Sequence, residues 1–411
     1  MNNLLGLVLP RHPIAPFLIT FDFEFADAYG QGPPQFTMNV RGRTTAAAIR
    51  RDPSLGFGEG YMRGDITISG EFALAEVIRT LYSCSFTLGA RLRALPSVLK
   101  WAAIQYLRAN TPYRARRHIA AHYDLPFELY HGMLDSRLVY SCGYFMRDDM
   151  SLDAAQLKKL DVVAAKLELL PNDTLLDIGC GFGAMLFRAA EHGARVYGLT
   201  LSDVQYRYVV EEIQRRGLTG RVTVAKADWR NLPASFPKTF SKVVTIGMFE
   251  HVGRRCSQEF LDQCYNRLAP RGLLLLHTIA RHHPSVVDSF TQKYIFPGSE
   301  IPIDWNVLRW TKRAGFDLRH VEYLGTSYAL TLAAWRRNFL SSWERIKPHL
   351  PSNLKPEQFR RMWELYLAAA EAFFYVDSID LVQVLASKGC PAVRPNVADY
   401  SQAERVADPI T

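Results

Sequence analysis

The feature that most limits how this chain can fold is the turn Asp177-Ile178-Gly179-Cys180-Gly181-Phe182-Gly183, set between an apolar run and a helical pattern. A strand that ends in glycines and re-enters a helix is the opening step of a βαβ unit, and glycine lets backbone approach a ligand closely. The same rhythm continues downstream. Residues 174–178, 195–199, 222–225, 242–247 and 273–279 read as strands, while 184–192 and 202–216 read as helices. Such alternation predicts an α/β fold with a doubly wound, mostly parallel sheet. Apolar residues at helical spacing over 152–169 precede it, a long aromatic insertion covers 280–303, and helical patterns return over 330–346 and 356–374.

The turn has Gly-x-Gly-x-Gly spacing, not the Gly-x-Gly-x-x-Gly of pyrophosphate sites, and no Gly-Lys-Ser/Thr follows it. S-adenosylmethionine brings no phosphate to cradle, and its amino acid end can lie over such a loop. Thr200, Leu201 and Gln205 follow the second strand, where polar groups converge on the ribose and amino acid side. Asp228 and Trp229 follow the third, offering a carboxylate to the adenine amine and an indole to its ring. With Asp177, Gly179, Gly181 and Gly183 these positions point to a Rossmann-like class I methyltransferase domain. The fourth strand runs Val243-Val244-Thr245-Ile246-Gly247-Met248-Phe249-Glu250-His251 and so ends in a carboxylate and an imidazole. Ligands in open α/β sheets sit at the carboxyl ends of the strands, which makes Glu250 a candidate base. Its neighbour His251 reads as structural.

With 411 residues the chain has room for two domains, here divided as 1–120, a smaller and mainly helical accessory domain, and 121–411, the catalytic one. No apolar stretch reaches the roughly 18–20 residues needed to span a bilayer. The first twenty residues lack the basic start and cleavage site of a signal peptide, so a cytoplasmic protein is expected. Six cysteines without a Cys-x-x-Cys pair argue for reduced thiols, and His282-His283 reads as a solvated loop, so no metal is expected. The net charge of +9 is uneven: residues 77–123 hold no acid but carry Arg79, Arg91, Arg93, Lys100, Arg108, Arg114, Arg116 and Arg117. Interleaved Leu88, Leu92, Leu95, Val98, Leu99 and Trp101 make this an amphipathic helix with a basic face, suited to an anionic bilayer surface more than to nucleic acid. A core-packing helix with a solvated basic face is the competing reading.

From about residue 55 to 384 the sequence resembles the cyclopropane-fatty-acyl-phospholipid synthases, relatives of the mycolic acid cyclopropane synthases. The resemblance rests on the turn and the Glu250 run together with Gly56-Phe57-Gly58-Glu59-Gly60-Tyr61-Met62, His122-Tyr123-Asp124-Leu125, Tyr140-Ser141-Cys142-Gly143-Tyr144-Phe145, Leu276-His277-Thr278-Ile279 and Lys293-Tyr294-Ile295-Phe296-Pro297-Gly298. It implies transfer of a methylene from S-adenosylmethionine to a cis double bond of an unsaturated phospholipid acyl chain, with bound bicarbonate as base. The implied holders of bicarbonate are the side chains of Glu250, His277 and Tyr328 and the backbone at Cys142 and Ile279. Tyr140 and Ser141 join the cofactor residues. Imidazole and phenol donate to an anion and a carboxylate accepts its hydrogen, so Glu250 moves from taking the proton to holding what takes it. Tyr144, Phe145 and Phe249 offer ring faces to a cationic centre.

The charge asymmetry of the basic stretch suggests a protein acting peripherally on the inner membrane face, anionic lipid favoured; a homodimer stays open. The sequence departs from the family at Pro126-Phe127 for Gly-Asn, Phe182 for Trp, Ala329-Leu330-Thr331 for Asp-Thr-Thr, Phe374-Tyr375 for Phe-Arg and Ala370 for a cysteine. The last argues against covalent catalysis there, and the others bear on substrate preference. Two rival readings remain: a related C-methyltransferase that gives lipid acyl groups a methyl branch or a methylene, and a non-catalytic lipid-binding protein of methyltransferase fold.

Overall fold

The computed structural model describes residues 8–9, 15–22, 25–86, 88–107, 125–285 and 287–389. His122, Tyr123 and Asp124 of the His-Tyr-Asp-Leu motif, and Arg108, Arg114, Arg116 and Arg117 of the basic stretch, lie outside these. The protein forms two compact units: one of residues 1–108, 285–299 and 332–378, the other of 109–284, 300–331 and 379–411. Within the first unit the helix Pro356–Tyr375 lays Phe373 edge-on against Tyr82 at 4.5 Å, and Lys293 of the insertion pairs with Glu59 at 2.6 Å.

The first unit carries the expected helices, Arg43–Arg51, Pro53–Arg63, Leu74–Ser83 and Leu88–Leu107, and a sheet that the helical patterns concealed. Strands β1 (Val8–Leu9) and β6 (Ser85–Phe86) pair antiparallel. Strands β2 (Phe17–Phe21), β3 (Phe25–Tyr29), β4 (Phe36–Val40) and β5 (Ile66–Gly70) form a four-stranded sheet in the order β3-β2-β4-β5. In β2, Phe17, Ile19 and Phe21 are buried and alternate with half-buried Leu18 and Thr20, the period of a strand with one face on a core. The Gly56-x-Gly58-x-Gly60 motif lies in the helix Pro53–Arg63, where a β-carbon at Gly58 would meet the Phe290 ring at 2.2 Å. Close helix approach, not a phosphate loop, explains those glycines.

The second unit is built on β7 (Thr174–Ile178), β8 (Arg195–Thr200), β9 (Val222–Lys226), β10 (Phe240–Ile246), β11 (Leu268–Ala280), β12 (Asp317–Tyr323) and β13 (Asp380–Ser387). Their order is β12-β13-β11-β10-β7-β8-β9, parallel throughout from β11 to β9, with β13 antiparallel to both neighbours. The doubly wound, mostly parallel sheet is as expected. Five strands match the reading of the sequence, while β12 and β13 have no clear pattern there. Leu273–Leu276 of β11 are buried between Val243 and Val244 of β10 and Leu385 and Ala386 of β13, so a continuous apolar run is what the position demands. Because β7 has β8 on one side and β10 on the other, the strand order reverses there and opens a crevice above its carboxyl end. Among the described residues no helix is long and apolar enough to cross a membrane.

Candidate active site

The crevice above β7 gathers most of the residues singled out as cofactor-binding. Tyr140, Ser141, Asp177, Gly179, Gly181, Thr200, Leu201, Gln205, Asp228 and Trp229 all line one cavity. Gly181 sits at φ +57, and nothing lies within 4 Å of where its β-carbon would stand, so the loop leaves open space for a ligand. Gly183 is the exception: it caps the helix Ala184–Glu191 and packs toward Phe187 instead of lining the cavity.

Local bonding aims the polar groups. Ser202 caps the helix Asp203–Arg215 by accepting from Gln205 N, and Thr200 Oγ1 donates to Gln205 Oε1 at 2.8 Å, which turns the amide NH2 the other way. Asp228 is already held by Arg230 at 2.9 Å, and the Arg230 guanidinium lies 4.4 Å over the Trp229 ring. One face of Trp229 is thus occupied by the protein itself. Burial pushes Asp177 up to about 7, opposed by the charge of Lys159. Lys159 is itself fully buried, donates to Ser141 Oγ at 3.0 Å, and is drawn down to about 8 by that burial. It lines the cavity with Met248 and His251. Sequence reasoning marks none of the three as a ligand. For Lys159 a cation inside an apolar helical stripe is the signal that could have found it.

At the end of β10 the backbone makes one tight turn, Phe249–His251, that buries Glu250. Its Oε1 accepts from Ile279 N at 2.6 Å, while Oε2 is buried with no protein partner. The Ile279 N–H is taken up by Glu250, so this backbone donor orients that carboxylate. Burial raises Glu250 to about 7. His277, on β11, is equally enclosed: Gln383 Nε2 meets its Nδ1 at 3.1 Å, and its Nε2 is buried without a protein partner. Burial first, then the charges of Lys159 and Lys166, hold the imidazole pKa well below its ordinary value, so the ring is neutral. A buried polar atom left open, on the Glu250 carboxylate as on the His277 imidazole, is costly unless a ligand meets it.

Cys142 and Tyr328 come from segments that pack together. Gly143 N donates to Thr331 Oγ1 at 2.9 Å and Phe145 N to Ser327 Oγ at 3.2 Å, which seats the 142–145 segment on the first turns of the helix Gly325–Ser341. Tyr328 stands between Leu324 and Thr331 at helical spacing and shares their side. Thr331, one of the departures from the family, therefore has a defined task. Burial pushes the Cys142 thiol far above its ordinary pKa, which leaves no thiolate. Phe249 turns into the core against Phe260 and Trp310, at 5.5 and 6.3 Å, so its face is not offered to a reacting cation. The Tyr144 hydroxyl donates to Glu322 Oε1 at 2.7 Å. His282 is half-buried between Asp304 and Asp380, not in a solvated loop.

The family model described as mycolic acid cyclopropane synthetase matches residues 110–384, and one described as a domain of unknown function matches residues 8–88. The protein is 33% identical over 348 residues to the cyclopropane-fatty-acyl-phospholipid synthase of Escherichia coli strain K12, spanning 83% of this chain and 85% of that one. It is 35% identical over 277 residues to a probable fatty acid methyltransferase of Pseudomonas putida, spanning 66% and 68%. Among solved structures, a mycolic acid cyclopropane synthase complexed with SAH and CTAB superposes with a TM-score of 0.61 at 32% identity, covering 66% of this chain and 98% of that one.

Proposed function

Since this chain belongs to the mycolic acid cyclopropane synthetase family, we propose that it converts cis double bonds in unsaturated phospholipid acyl groups to cyclopropane rings, with bicarbonate as the base. It is an S-adenosylmethionine-dependent methyltransferase of the cyclopropane-fatty-acyl-phospholipid synthase family. S-adenosylmethionine supplies the methyl that becomes the ring carbon, and bicarbonate the base for one of its protons. The protein's own residues do the rest. Asp177, Gln205, Asp228 and the loop at Gly179 and Gly181 hold and orient the methyl donor. Glu250 Oε2 and His277 Nε2 face a ligand that must accept at one end and donate at the other, and Tyr328 is assigned a phenolic donor to the same ligand.

One observation carries this reading: the buried, unpartnered pair of Glu250 Oε2 and His277 Nε2. Hydrogen carbonate is an anion with one acidic hydrogen and several acceptor oxygens, so it satisfies both atoms at once. The absence of a Cys142 thiolate also suits chemistry in which a cationic centre must survive without being trapped.

The lipid reaches the enzyme at an anionic membrane surface. Leu92, Leu95, Val98 and Leu99 of the helix Leu88–Leu107 are exposed, Leu92 by 60% and Leu99 by 59%, so these four apolar side chains are not packed in a core. In an acid-free stretch, such a face favours peripheral attachment to the inner leaflet. Flotation with anionic vesicles should exceed that with neutral ones and weaken with salt; equal, salt-insensitive flotation overturns the docking. Expression in cells lacking cyclopropane lipids tests the reaction: profiling should show acyl groups gaining one CH2, with ring protons by NMR. Methylene or methyl-branched products would assign the related C-methyl transfer, and an unchanged profile with S-adenosylmethionine still bound would remove the catalytic reading. Depleting bicarbonate should abolish turnover and restoring it should return it.

A further inference from the structure

Three side chains lie in one row across adjacent strands: Glu322 on β12, Gln383 on β13 and His277 on β11 are direct register partners. Lys166, the last residue of the helix Leu152–Lys166, is buried and reaches into this row. It donates to Glu322 Oε2 at 2.5 Å and to Gln383 Oε1, while Tyr144 donates to the other Glu322 oxygen at 2.7 Å. Building on the anion-holding role of His277, we propose that Gln383 is a positioning residue that fixes His277 as the tautomer with its proton on Nε2.

Donors and acceptors along the row leave one assignment. An ammonium has three donors and no acceptor, so the Gln383 atom facing Lys166 must be the carbonyl oxygen. The Gln383 NH2 then faces His277 Nδ1 at 3.1 Å, and two donors cannot share that contact. Nδ1 is therefore the bare nitrogen, and in a neutral ring the proton sits on Nε2. Burial lowers the Lys166 pKa and the Glu322 carboxylate opposes that, while Nζ donating to Glu322 Oε2 supports the first step on geometry. A second proton on Nδ1 would collide with the amide, so the row also opposes an imidazolium. Every lone pair of the ring is thereby covered: Nδ1 by the amide and Nε2 by its own proton. Beside a sulfonium methyl and an incipient carbocation, a bare imidazole nitrogen would be a nucleophile. Gln383 turns His277 into a donor only.

The test is 15N NMR of histidine-labelled enzyme, with the His277 signals identified by their loss in His277→Ala. The wild type should show protonated Nε2 and bare Nδ1, unchanged between about pH 6 and about pH 8. Gln383→Glu replaces the NH2 with an acceptor and should move the proton to Nδ1 or add a second one. Its kcat should fall by about tenfold or more, in the range of general acid–base contributions, with KM for S-adenosylmethionine unchanged. A wild-type ring protonated on Nδ1, or a Gln383→Glu ring identical to wild type, overturns the assignment. Should Gln383→Glu fail to fold, the wild-type spectrum alone decides it. Bicarbonate added to wild type should shift the Nε2 signal; a correct tautomer without that shift would sink the bicarbonate reading and leave the role of Gln383 standing.

Discussion

Glu250→Gln separates stability from activity in a way that the burial of this carboxyl predicts. The carboxyl goes from an ordinary 4.5 in the unfolded state to about 7 in the folded one, chiefly through burial. A tenfold change in proton affinity is worth about 1.4 kcal/mol, so this gap corresponds to about 3 kcal/mol. The sign is fixed by which state binds the proton better. Below about pH 4.5 both states are protonated and the wild type carries no penalty. As pH rises toward about 7 the unfolded state ionises while the folded one resists, and above about 7 the full penalty applies. The glutamine keeps the acceptor for Ile279 N and has no charge to bury. Any fixed difference between amide and acid is the same at every pH, so the pH-dependent part is the measurement. Urea unfolding of both proteins should show the variant gaining on the wild type by about 3 kcal/mol between about pH 4.5 and about pH 8. The same variant should lose about a hundredfold or more of kcat and keep its calorimetric affinity for S-adenosylmethionine. A stability gap that is flat with pH would refute the buried-acid argument.

Cys142→Ser should keep turnover within a few-fold, and native Cys142 should resist maleimide, because burial denies it a thiolate; loss of activity with folding intact would restore a thiol role. Gly181→Val should weaken S-adenosylmethionine binding by calorimetry about tenfold or more, since it strains a φ of +57 and fills open space in the cleft. Leu276→Ala, at a fully buried position one residue before His277, should cost about 2–5 kcal/mol by denaturant unfolding.

How far the sequence can be read depends on whether a pattern is local. The turn at Gly179–Gly183 and the strands β7, β8 and β10 announce themselves through period, glycine and β-branched runs, and the cofactor residues at their ends follow from topology. Strand β12 reads Asp-Leu-Arg-His-Val-Glu-Tyr and is only half-buried, so it lacks the apolar signature of its neighbours. Glu322 and Gln383 stay hidden for the same reason: each is a single polar residue whose meaning comes from the strand beside it. Lys159 and Lys166 fall among apolar positions of their helix and both are enclosed there, but which groups they meet is set by distant segments. The resemblance makes Ile279 a site position, and the bond from its N–H to Glu250 is visible only in the geometry.

Strand β13 is the last strand among the described residues, yet it lies inside the sheet, between β12 and β11. A ribosome therefore completes the glycine loop, Glu250 and His277 well before it delivers Gln383. Until residue 387 has been made, β11 presents an open edge and β12 has no neighbour to pair with. The nascent protein can assemble a pocket for the methyl donor while the nearby imidazole is still free to choose its proton. Closing the sheet between β11 and β12 is thus what brings Gln383 to that imidazole.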